Sequence, residues 1–111
     1  MFEDDVVRIR HIYDAAREAI EFAEGRSRAD LDTDRMLNLS LVRLLEIIGE
    51  AARGISLEFH KAHRDLPWKS MIGMWDRLIH SYFDVNLDVV WETVTEDLPG
   101  LIAKLEKIVA D

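Results

Sequence analysis

Apolar residues recur every seven positions through the first 25 residues. Phe2, Ile9, Ala16 and Ala23 form one seam, and Val6, Tyr13 and Ile20 a second. Spacing of three, four and seven residues predicts an amphipathic helix. Gly25 is placed to cap its C-terminus. Residues 26–33 are polar and predict a loop or short turn, with Asp32, Thr33 and Asp34 as N-cap candidates for the next element. A second helix repeats the pattern, with Leu37, Leu44 and Ala51 on one seam and Leu41, Ile48 and Ile55 on the other. Gly49 lies inside it, where glycine costs about 1 kcal/mol relative to alanine, so a close helix contact is expected there. Gly54 predicts a break or kink.

A shorter helix is predicted over roughly 56–63. Asp65-Leu66-Pro67-Trp68 is a helix start, with proline at the first helical position. The next helix is predicted from Pro67 to about Tyr82. A connector, Phe83 to Asn86, comes after it, and Asn86 can cap the helix beyond. That helix is predicted over residues 87–97, with Val90, Trp91 and Val94 apolar. Pro99-Gly100 interrupts the pattern, and a last helix is expected over 99–109. No strand alternation competes with these signals. The expectation is an all-α bundle of four to five helices.

The 111 residues fit a single domain over 1–111. Net charge is -8, from 14 basic and 22 acidic residues. That excludes a protein that grips nucleic acid over a broad surface, because such binding neutralises phosphates with Lys and Arg. The charge is uneven: residues 1–25 sum to -4, 26–56 to 0, 57–81 to +1 and 82–111 to -5. An anionic ligand is therefore expected first at 57–81, which also holds His60, His63 and His80. Cysteine is absent, which removes thiolate metal sites and cysteine nucleophiles and fits a reducing compartment. No run approaches the roughly 18–20 apolar residues of a membrane span, and the N-terminus is acidic where a signal peptide would be basic. The expectation is a soluble, cytoplasmic protein.

Gly-rich phosphate loops, metalloprotease helices and nucleophile elbows are missing. His60 and His63, with Glu58 nearby, are too few for a metal centre and are expected as solvated surface residues. Trp68 and Trp91 are expected as core or interface anchors, and Met71 and Met74 as core or dimer interface. The informative stretch runs from Gly73 to Tyr82. On a helix Asp76 and His80 are neighbours, four residues apart. A carboxylate beside an imidazole fixes its tautomer and raises its pKa, which suits a general acid or base. Arg77 and Tyr82 complete a polar cluster. By spacing alone, a surface salt-bridge set near a helix C-terminus is the favoured reading.

Residues 66–98, from Leu66-Pro67-Trp68 through Trp75-Asp76-Arg77-Leu78-Ile79-His80-Ser81-Tyr82 to Leu98, closely resemble the HepT-like proteins of the HEPN superfamily. The likeness extends more loosely over the acidic first helix and the second helix with its Ile-Gly-Glu-Ala-Ala. These are toxins of HEPN/MNT toxin–antitoxin pairs. The resemblance implies an all-α homodimer and a metal-independent ribonuclease, without cofactor, whose active site lies in a cleft at the dimer interface. It also implies two partners: an RNA substrate (transfer or messenger RNA) and an MNT-family nucleotidyltransferase antitoxin. The family motif is Arg, a polar residue, three residues, His, one residue and Tyr. His80, Asp76 and Tyr82 fall on its His, polar and Tyr positions. In the family the tyrosine accepts AMP from the antitoxin, which silences the toxin.

This chain departs at the first position, where Trp75 stands in place of Arg. Arg would hold the scissile phosphate and stabilise developing charge, which Trp cannot do. Arg77 is the nearest supporting cation but lies about 200° around an ideal helix from position 75. Positions 75 and 80 would lie about 140° apart on such a helix, which suits a site assembled from two copies. Three readings of Trp75 stay open: a weak or altered natural variant, an inactive relative kept for binding, or a loss-of-function substitution. A plain helical dimerisation protein is the remaining alternative.

Overall fold

The long apolar stripes become two long helices that pack side by side. In the computed structural model, residues 3–74, 78–81 and 84–109 are described, with backbone alone at 79–81. Helix α1 spans Glu3–Ala23 and begins with Glu3, Asp4 and Asp5, which complement the positive end of the helix dipole. Ile9, Ala16 and Ala23 are buried, as the first seam predicts. The second buried row is not Val6, Tyr13 and Ile20. It is Asp5, Ile12 and Ala19, with Ala15 beside them; Val6 is 47% exposed, and Tyr13 and Ile20 pack at the margin. Alanines let α1 approach its neighbour closely, which pushes the bulkier residues to the flank.

Gly25 adopts a left-handed φ of 73° just past α1, a conformation that favours glycine. The connector contains one short helix, α2 (Asp30–Thr33), laced by Arg26 to Asp30 and Asp34 at 3.3 and 2.8 Å. Helix α3 spans Arg35–Gly54, and the Asp34 side chain caps it by accepting from the Leu37 N–H at 3.1 Å. Its Leu41, Leu45, Ile48 and Ala52 are fully buried. A Cβ on Gly49 would lie 3.2 Å from the Met71 carbonyl oxygen, so this glycine does permit a close contact. Helix α4 (Leu57–Ala62) is capped by Ser56, whose hydroxyl oxygen accepts from the Phe59 N–H at 3.2 Å. Helix α5 spans Trp68–Ile72 and seats on α3.

The helix expected from Pro67 to Tyr82 does not run that far. Residues Ile79–Ser81 form a strand, β1, paired antiparallel with β2 (Asp84–Val85) in the register Ile79 to Val85 and Ser81 to Asp84, with an irregularity between. The Asn86 N–H donates to the Leu78 carbonyl at 2.7 Å and closes the hairpin. Ile79 and Val85, partners across the two strands, are β-branched, which favours extended backbone.

Asn86 then caps α6 (Leu87–Glu92) through the Val89 N–H at 3.2 Å, as expected. The break expected at Pro99-Gly100 is absent. A wide π-helical turn, Thr93–Asp97, joins α6 directly to α7 (Leu98–Val109), with the Leu98 N–H bonded to the Thr93 carbonyl five residues back. Proline lacks an N–H and crowds the carbonyl four residues earlier. For Pro99 that carbonyl belongs to Thr95, inside the widened turn, so the helix continues without a clash. Helices α1, α3 and α7 enclose a core that includes Ile9, Ile12, Leu45, Ile48, Leu98 and Leu105. The fold is thus all-α of the bundle type, with one small hairpin inserted. Among the described residues no helix is long and apolar enough to cross a membrane.

Candidate active-site segment and its frame

Of the residues singled out by sequence, Trp75, Asp76, Arg77 and Tyr82 lie outside the described residues. His80 has its backbone in β1, and its side chain lies outside them. One expectation is corrected. His80 stands on a strand, so the helical spacing that made Asp76 its neighbour does not apply. The angle of about 140° between positions 75 and 80 likewise assumed one unbroken helix, whereas strand side chains alternate between two faces.

The frame around the segment is well defined. Met71 and Met74 before it and Leu78 within it are buried, so both methionines belong to the core. The Gly49 contact fixes α5 against α3, and Arg53 Nη2 reaches the Ile72 carbonyl at 3.5 Å. Beyond the segment, the hairpin bond from Asn86 to Leu78 and the cap on α6 set the exit. A cavity of about 450 Å³ opens beside this frame, between α5 and α7, with Met71, Met74 and Leu101 on its wall and Ser70, Glu96 and Lys104 among its polar residues.

The other two histidines of the middle stretch serve a different purpose. The His60 ring stacks on Trp68 with centroids 4.1 Å apart, and its Nε2 lies 3.2 Å from the Ala52 carbonyl oxygen. His63 stacks on Phe59 at 4.3 Å, and Trp68 Nε1 donates to the His63 carbonyl at 2.8 Å. Both imidazoles are half-buried rather than solvated. They fasten α4 to α5, which makes Trp68 the anchor the sequence predicts. Among the described residues no three His, Asp or Glu side chains gather into a metal-binding group.

Sequence reasoning missed Asp5, which is only 3% exposed. Its Oδ1 accepts from the Ser56 N–H at 2.9 Å and its Oδ2 from the Ser56 hydroxyl at 2.6 Å. Burial alone would push this carboxyl up. The two Ser56 bonds, helped by the positive charge of Arg8, outweigh burial and hold it below the usual carboxylate value. The bonds tie the start of α1 to the cap of α4, which steadies the platform behind α5. A signal was present in the sequence: Asp5, Ile12 and Ala19 also repeat every seven residues.

Known proteins match this chain along most of its length. The Ribonuclease HepT-like family profile matches residues 12–108. A protein of Thermococcus cleftensis named a probable ribonuclease HepT is 43% identical over 95 residues, covering 82% of this chain and 86% of its own. A candidate RNase of Caldanaerobacter subterraneus is 40% identical over 100 residues, covering 90% and 89%. A candidate RNase of Methanocaldococcus jannaschii is 35% identical over 95 residues, covering 86% and 87%. No solved structure matches. Sequence, helical fold and relatives agree: the chain belongs to the HepT-like ribonuclease family of the HEPN superfamily.

Proposed function

We propose that this chain is a metal-independent endoribonuclease, the toxin of a toxin–antitoxin pair, working as a homodimer with its site at the interface. The supporting observation is the family match to ribonucleases; the sequence resemblance puts His80, Asp76 and Tyr82 on the His, polar and Tyr positions of the family motif. In this reading a ribose 2′-hydroxyl attacks the adjacent phosphate. His80 acts as general base or acid, Asp76 orients it as the motif's polar residue rather than through helical spacing, and the product ends in a 2′,3′-cyclic phosphate. Arg77 is the cation available to support the phosphate. A nucleotidyltransferase of the MNT family is the partner, and it silences the chain by attaching AMP to Tyr82.

Trp75 at the motif arginine position favours a second reading. Without that guanidinium the developing charge on phosphate loses a donor, so the chain is a weakened enzyme, and at the limit a HEPN dimer that serves to bind its partner. Expression in cells separates the two. Growth arrest that disappears with His80→Ala, with RNA ends carrying cyclic phosphate, supports the enzyme. Absence of arrest together with a stable nucleotidyltransferase complex supports the binding module. Cleavage that strictly requires added divalent metal contradicts the His80 mechanism.

A further inference from the structure

The two ends of the chain are its acidic parts, yet each contributes cations to one shared cavity: Arg10 from the first, Lys104 and Lys107 from the last. Lys104 and Lys107 are the only basic residues in 82–111. Both line a cavity of about 400 Å³ between α1, α4 and α7, where Arg10 of α1 joins them. Among the described lining residues Asp65 is the single carboxylate. Arg10 and Lys107 have no ion pair or side-chain hydrogen bond among the described residues. Lys104 donates to the Asp65 backbone carbonyl at 2.9 Å rather than to a carboxylate. Three cations held together on a molecule of net charge -8 repel one another unless an anion sits between them.

The cavity is also apolar at its base. Ile9 and Phe59 are buried there, Ile108 is half-buried, and the His63 ring stacks on Phe59 at 4.3 Å. A volume of about 400 Å³ lies in the usual range for small-ligand pockets, roughly 300–1,000 Å³. An apolar floor under a cationic rim matches a ligand with a flat, weakly polar part and a phosphate. We infer that this cavity binds a nucleoside monophosphate, with the phosphate held by Arg10, Lys104 and Lys107 and the base resting on the apolar floor beside His63. Leu78 and Asp84 to Asn86, the residues flanking His80 whose side chains are described, are not among those lining the cavity, and the inference does not rest on the ribonuclease reading.

The test is titration of adenosine 5′-monophosphate into the full chain, followed by amide chemical shifts and calorimetry. Saturable shifts are expected at Ile9, His63 and Ile108, and not across Ile79–Val85. Adenosine and ribose 5-phosphate should each bind about tenfold more weakly or worse, since each lacks one half of the ligand. The double variant Arg10→Gln, Lys107→Gln changes only exposed side chains; it should keep its melting temperature and lose about tenfold or more in affinity. His80→Ala should leave binding unchanged, whatever it does to RNA cleavage. The inference is overturned by no shift at millimolar nucleotide, by shifts confined to the hairpin, or by ribose 5-phosphate or inorganic phosphate binding as tightly as the nucleotide. Unaltered affinity in the double variant overturns it too, as does a site that takes RNA oligonucleotides but not the monophosphate.

Discussion

Replacing Asp5 by alanine removes a buried carboxylate that accepts both the N–H and the hydroxyl of Ser56, at 2.9 and 2.6 Å. Hydrogen bonds to a charged partner contribute about 1.5–3 kcal/mol each, less the cost of burying the charge. The variant also leaves the two Ser56 donors without their acceptor at a site only 3% exposed on the Asp5 side. A loss of about 2–4 kcal/mol in unfolding free energy is expected, a large part of the roughly 5–15 kcal/mol typical of a domain. The assay is urea unfolding at fixed protein concentration, in a double-mutant cycle with Ser56→Ala. A coupling of about 1 kcal/mol or more is expected. The pH dependence has a definite sign. The folded carboxyl lies below its ordinary value, so its contribution is complete above about pH 4 and is lost as pH falls through the lower folded value. The gap between the parent and Asp5→Ala should stay constant from neutral pH down to about pH 5 and close at lower pH. A loss under about 0.5 kcal/mol, or a gap that widens in acid, would refute the reasoning.

Gly49→Val should destabilise the protein by about 1–3 kcal/mol in thermal unfolding, because its branches must displace the Met71 carbonyl that already sits 3.2 Å from a Cβ. Gly25→Ala should cost about 1 kcal/mol by the same measurement, since alanine is strained at a φ of 73° with nothing crowding it. Co-expression with the nucleotidyltransferase should add mass in whole AMP units, and Tyr82→Phe should abolish the addition; an undiminished shift in that variant would remove Tyr82 as acceptor.

The helix periods were legible wherever one face is buried and the other wet. Ile9, Ala16, Leu41 and Ile48 needed only their spacing, and Gly25, Asp34 and Asn86 only their turn and cap chemistry. What was not legible depends on contacts distant in the chain. The row through Asp5 is buried because Ser56, 51 residues away, supplies two donors. The helix past Pro99 survives because the turn before it widens, an adjustment invisible to a window of hydrophobicity. The strand pair Ile79–Ser81 and Asp84–Val85 was hidden because strands of three and two residues are too short to show a period of their own. For the site, charge runs along the sequence pointed to 57–81, whereas Arg10, Lys104 and Lys107 of the acidic ends line one cavity only in the folded chain. The motif around His80 was legible through family resemblance, since its spacing alone favoured a surface ion-pair cluster.

The most direct test of the ribonuclease account is the rate of RNA cleavage, without added metal, by this chain, by Trp75→Arg, and by Trp75→Arg with His80→Ala. One preorganised donor to a developing oxyanion is worth about 10²–10³ in rate. The account predicts a gain of about that size on restoring arginine, 2′,3′-cyclic phosphate ends, and loss of the gain when His80 is removed. Equal, robust cleavage with tryptophan and arginine at position 75, or cleavage indifferent to His80, would contradict it.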